Sequence, residues 1–233
     1  DGETQDDLNH FCSQLMQAAQ QGKRFLFRSA ASLLTALAQL PPQPVAAEKM
    51  REYGRDGRAG AVIVGSHVKK TTQQLSPLLQ ADGIQGIEID VEKISTQRNQ
   101  LLNRISANIE DCHLNNVTPV IYTSRTEIQF DDQQSRLAFG EQVSAFLMDV
   151  VRNLPETTGF LISKGGITSN DVLSDGLALR TSRVVGQILA GCSVVRCPQD
   201  HPRYPNMPVV IFPGNVGDEQ ALVTVYQRMK PMD

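Results

Sequence analysis

The sequence predicts an α/β fold, a three-layer αβα arrangement around a mostly parallel, partly mixed sheet. Short apolar runs such as Ala61-Val62-Ile63-Val64 and Gly159-Phe160-Leu161-Ile162-Ser163 read as strands buried on both faces. Amphipathic stretches of helical period separate them. Strand–helix–strand alternation implies parallel pairing, because parallel strands need a crossover that a helix supplies. One pair, Val184–Ile188 and Val194–Cys197, reads as directly paired strands and makes the sheet partly mixed.

Taken in order, residues 5–21 carry Leu8, Phe11, Cys12, Leu15, Met16 and Ala19 at helical spacing, with Gly22 as a stop. Phe25-Leu26-Phe27 reads as a short buried strand. Ser29 then caps a helix from Ala30 to Leu40, closed by Pro41-Pro42. From Pro41 to Gly60 the chain is polar and rich in breakers, which marks an interdomain linker. Beyond it come strands at 61–64, 87–90, 117–122, 159–163 and 207–212. Helices are expected at 71–79, 91–111, around 137–151, from Thr168, and at 218–229.

Composition narrows the function. The chain has 233 residues with a formal net charge of -3, and acidic and basic residues are interspersed. A nucleic-acid binder carries a basic excess or stripe, so nucleic acid is excluded as a partner. No apolar run approaches the roughly 20 residues that span a bilayer, so no membrane is expected. Asp1-Gly2-Glu3-Thr4 is polar and unlike a signal peptide, and the expected location is the cytoplasm. The missing initial Met is read as removal of upstream sequence. Cys12, Cys112, Cys192 and Cys197 lack zinc-site spacing and are expected as free thiols, although Cys192 and Cys197 flank one short run and can approach each other. The scattered histidines offer no protein-built metal cage. Asp131-Asp132 is either a magnesium site or a solvated loop.

Ligands of open α/β sheets gather beyond the carboxyl ends of the strands. Three turns there carry suitable chemistry. In Val64-Gly65-Ser66-His67, Ser66 either donates to a ligand or caps the next helix. In Ser163-Lys164-Gly165-Gly166-Ile167-Thr168-Ser169, adjacent glycines let the backbone approach an anion. Thr168 and Ser169 add hydroxyls and free N–H groups at a helix start, or are plain caps. Lys164 approaches a phosphate or faces solvent. In Phe212-Pro213-Gly214-Asn215-Val216-Gly217-Asp218, Gly214 permits close approach and the Asn215 amide both donates and accepts. Three such loops on one sheet edge can converge on one ligand, and an adenine nucleotide is the natural occupant.

The order of these motifs is itself informative. G-S-H-x-x-K-T-T-x-Q-L from Gly65, G-G-x-T-S from Gly165, G-Q-I-x-x-G from Gly186 and P-G-N-x-G from Pro213 resemble the C-terminal nucleotide-binding domain of the four-carbon acid sugar kinase family. Residues 22–32 are similar to a segment late in that family's substrate-binding domain. The resemblance implies that 1–58 is the end of the sugar-acid-binding domain plus linker, and 59–233 the nucleotide-binding domain. It implies ATP and Mg²⁺ as cofactors, with Ser66, Gly165, Gly166, Ile167, Thr168 and Gly214 at the nucleotide and Ser169 and Asn215 close by. Arg28 is then a partner for the carboxylate or phosphate of a threonate- or erythronate-like acid, or else part of a surface ion pair. The general base is expected outside this chain, and a homodimer is possible. Two departures stand out. Relatives carry a lysine where this chain has Phe212, and the acidic D-D-x-T-G segment of the substrate domain is absent. The chain is therefore expected to be a fragment inactive alone, and the other reading is a nucleotide- or anion-binding module without phosphotransfer.

Overall fold

A computed structural model describes residues 2–41, 43–125, 128–130 and 132–231. It divides into two units, Asp1–Gln43 and Pro44–Asp233. In the first, α1 (Gln5–Gln20) opens on a capping box in which Thr4 and Asp7 satisfy each other's backbone N–H groups. The second helix, α2, covers only Ala31–Leu37. Its N-cap is Ala30, so Ser29 does not cap it. Nor is Phe25-Leu26-Phe27 a buried strand: the three residues are 46%, 101% and 42% exposed. A strand needs ladder partners for its N–H and C=O groups, and the described residues of this unit contain no other strand.

The described residues of the second unit form a seven-stranded sheet. Its strands are β1 (Ala61–Val64), β2 (Ile84–Ile89), β3 (Thr118–Thr123), β4 (Leu161–Lys164), β5 (Arg183–Leu189), β6 (Cys192–Arg196) and β7 (Pro208–Phe212). Their order is β2-β3-β1-β4-β7-β6-β5. The strands from β2 to β7 in this order pair in parallel, whereas β5, β6 and β7 pair antiparallel. The mostly parallel, partly mixed sheet is thus present. The paired strands 184–188 and 194–197 correspond to β5 and β6.

Helices cover both faces. Ala61, Ile63, Ile121 and Leu161 face a layer with α4 (Ile94–Leu114) and α5 (Gln133–Arg152). Val62, Val64, Ile162 and Phe212 face the opposite layer with α3 (Lys69–Leu78) and α7 (Ala221–Met229). Both rows of β1 are fully buried, which explains its unbroken apolar run. Within the stretch read as linker, Ala47–Tyr53 forms a 3₁₀ turn whose Met50 is buried in the α3/α7 layer. Asp132 is the N-cap of α5, its Oδ1 accepting from the Ser135 N–H at 2.8 Å. That places Asp132 as a cap and leaves Asp131 outside the described residues. All four cysteines are free and buried. Cys192 and Cys197 cannot meet, because an odd residue separation along β6 sends them into opposite layers.

Candidate functional site

The strand order creates one crevice. β1 and β4 are neighbours, yet the chain leaves β1 toward the β2 edge and leaves β4 toward the β5 edge. Such a switch point opens a cleft beyond the carboxyl ends of the two strands. With β7 beside β4 in parallel register, the loops after β1, β4 and β7 share this edge. Ser66, the 165–168 turn and the 214–215 turn therefore come together as the spacing predicts. Two cavities of about 510 and 500 Å³ lie elsewhere, beside Arg196 and beside His113.

Gly65 is required by close side-chain packing, and Gly165 by its backbone. A Cβ on Gly65 would sit 2.5 Å from Thr168 Oγ1 and 2.9 Å from Leu147 Cδ1. Gly165 has φ +121°, a conformation that L side chains rarely adopt. Its N–H donates to the Phe212 carbonyl at 2.8 Å and ties β4 to β7. Gly165 is also the N-cap of a short helix, α6 (Gly166–Asp171), that runs into a π-helical turn at Val172–Gly176. The helix thus starts two residues before the expected Thr168. Its orphan donors are the N–H groups of Gly166, Ile167 and Thr168.

This shift changes the role of Ser169. Its hydroxyl is buried and donates to the Ser163 carbonyl at 2.9 Å, so it locks the turn from within. Thr168 is 9% exposed and packs under Gly65, whereas Ile167 is 79% exposed. Ser66 does not cap α3, whose N-cap is Val68. Its Oγ accepts from Thr71 Oγ1 at 3.3 Å, and its carbonyl accepts from Arg125 Nη1 at 2.6 Å. Arg28 is exposed in the first unit.

Lys164 neither faces solvent nor stands free. Its side chain is fully buried, with Nζ 4.2 Å from the Phe212 ring centroid. Nζ donates to the Pro213 carbonyl at 2.8 Å and the Gly214 carbonyl at 3.2 Å. Burial pushes its pKa down to about 8, and the nearby Lys70 pushes the same way. Two further side chains reach this loop from α3. Lys70 Nζ donates to the Asn215 carbonyl at 3.0 Å. Gln74 Nε2 donates to the carbonyls of Val216 at 2.9 Å and Asp218 at 2.7 Å. Lys70 and Gln74 were within reach of sequence reasoning, since i,i+4 residues share a helix face and both sit in the motif that begins at Gly65.

A domain model described as "nucleotide-binding C-terminal domain" matches residues 61–222. The chain belongs to this family. The matched span of the nucleotide-binding C-terminal domain includes all three loops, from Ser66 to Asn215. Among solved structures, a Salmonella typhimurium LT2 protein provisionally described as a tRNA synthase is 20% identical, with a TM-score of 0.66 over 96% of this chain and 50% of its own. A domain of unknown function from Bordetella bronchiseptica, a domain-swapped dimer with bound citrate, is 17% identical. It has a TM-score of 0.59 and covers 99% of this chain and 52% of its own. In a second crystal form it is 16% identical, with a TM-score of 0.58, 87% of this chain and 44% of its own. The chain spans about half the length of these proteins. At such identities they share the fold. No curated protein matches the chain. No helix among the described residues is long and apolar enough to cross a membrane.

Proposed function

We propose that this chain is the ATP-binding portion of a kinase that phosphorylates a four-carbon sugar acid of the threonate or erythronate kind. The observation that carries the reading is the meeting of three glycine loops at the β1/β4 switch point. The N–H groups of 166–168 and the Ser66 hydroxyl supply donors for phosphate oxygens, and the positive end of α6 lies behind them. Mg²⁺ enters with the nucleotide, since magnesium keeps most of its waters and binds through substrate phosphates. When bound, it neutralises charge on the transferring phosphoryl group. The protein's own part is to bind and orient the polyphosphate through these donors. Gly165, Gly166, Ile167, Thr168, Gly214 and Asn215 form that contact surface, and Ser169 supports it from below. Arg28 is the proposed partner of the acid's carboxylate or phosphate. Citrate on the Bordetella protein, a small polycarboxylate, accords with an acidic substrate, and its dimeric state supports pairing of subunits here.

Calorimetric titration with ATP and ADP, with and without Mg²⁺, tests the reading. Saturable binding that strengthens with Mg²⁺ is expected. Absence of binding to the chain, alone or joined to a substrate domain, would rule the reading out. Binding with no transfer to any four-carbon acid by the longer protein would leave a nucleotide-binding module.

A further inference from the structure

The loop after β7 is held in an unusual way. Four consecutive carbonyls, those of Pro213, Gly214, Asn215 and Val216, accept from side chains of Lys164, Lys70 and Gln74. All peptide bonds of the described chain are trans. In a trans peptide the N–H points opposite to the preceding C=O. The N–H groups of Gly214, Asn215, Val216 and Gly217 are therefore turned away from the lysines, and none has a protein acceptor among the described residues. Successive N–H groups of this kind form an anion-binding concavity.

Charge leads to the same place. Lys164 is completely buried, and no carboxylate pairs with it or with Lys70 among the described residues. Lys69 and Lys70 also occupy the first turn of α3, where the helix dipole disfavours cations. The groups facing Lys164 are Lys70 from α3 and the Cys192 thiol from β6, together with the Phe212 ring from β7. Of these, Lys70 repels it, and burial pushes the Cys192 pKa up to about 11 and keeps that thiol neutral. A buried cation facing only neutral groups and another cation lacks its counter-charge.

We propose that Lys164, with Lys70 and Gln74, is a positioning residue that turns the 213–217 backbone into a phosphate cradle, and that the bound nucleotide phosphate supplies the counter-charge Lys164 lacks. This deepens the nucleotide-binding reading and rests on it. Lys164 acts through the loop rather than by touching the reacting atoms. Its proton inventory must then change on binding. Burial lowers the Lys164 pKa to about 8, and a polyanion bound across the loop from it favours the charged form, so binding near pH 8 takes up protons.

The test is calorimetry of the 233-residue chain with MgADP at pH 8, in two buffers of different ionisation enthalpy. The parent is expected to take up a fraction of a proton per ADP bound. Lys164→Gln, which keeps a hydrogen-bond donor but not the charge, is expected to lose that uptake and about tenfold in affinity. Parent binding with equal affinity and equal uptake in Lys164→Gln overturns the inference and leaves nucleotide binding standing. No binding by the parent overturns both. If Lys164→Gln fails to fold, Lys70→Gln on the exposed side of α3 replaces it. Removing that neighbour lifts the Lys164 pKa, so weaker binding with smaller uptake supports the inference, and unchanged affinity and uptake overturn it.

Discussion

Gly166→Val and Gly214→Val are each expected to lower MgADP affinity by about a hundredfold, ~2.7 kcal/mol. Their melting temperatures are expected to stay within about 3 °C of the parent. The reason is where the added atoms go. A Cβ at either position meets no protein atom within 4 Å, and neither glycine has the positive φ that penalises a side chain. The fold makes no demand for glycine at these two sites, while both lie in loops proposed to contact the phosphates. Gly65→Val and Gly165→Ala should behave in the opposite way. The first drives carbon into Thr168 and Leu147, and the second forces a side chain into φ +121°, so both should lose stability before binding is measured. Thermal melts beside calorimetric titrations separate the two classes. Full affinity in Gly166→Val would mean that phosphates do not approach the α6 turn.

The largest stability effect is expected from Phe160→Ala, about 3–5 kcal/mol. Phe160 is 1% exposed and packs in the α3/α7 layer with Met50, Val62 and Ile162. Its ring lies against Gly60, where a Cβ would overlap three ring atoms. Gly60→Ala alone should therefore overpack the site and cost about 1–3 kcal/mol. With the ring gone, the same methyl enters the vacated space, so the double variant should be more stable than the two losses predict by about 1–2 kcal/mol. Urea midpoints at constant m-value measure this coupling. Strictly additive losses would show that the ring and Gly60 are not in contact.

The sheet was legible because strands buried on both faces leave continuous apolar runs, as in β1 and in Val209-Val210-Ile211-Phe212 of β7. The convergence of their loops followed from parallel pairing alone. Ser169 was misread because a Thr-Ser pair looks like a cap. The true cap is Gly165, whose left-handed backbone leaves no mark in the sequence beyond the letter G. Phe25-Leu26-Phe27 has the composition of a strand, but composition cannot supply a ladder partner. Lys164 was harder still. A lysine at the end of a strand usually reaches water, and only the three-dimensional position of Phe212 and the 213–214 carbonyls shows that this one does not. Lys70 and Gln74 were visible as an i,i+4 pair, yet their acceptors lie over 140 residues away in the chain.

The four buried thiols give the molecule a set of internal clocks. Cys112 and Cys197 lie in the α4/α5 layer, Cys192 lies in the α3/α7 layer, and Cys12 lies in α1 of the first unit. None can be alkylated until its own surroundings open, so each rate of modification reports the local opening equilibrium of one region. Burial also raises the Cys192 and Cys197 pKa values to about 11, which leaves almost no thiolate at neutral pH while the fold is closed. Cys192, which opens β6, and Cys197, just past its end, thus time the release of one helical layer against the other without any introduced label.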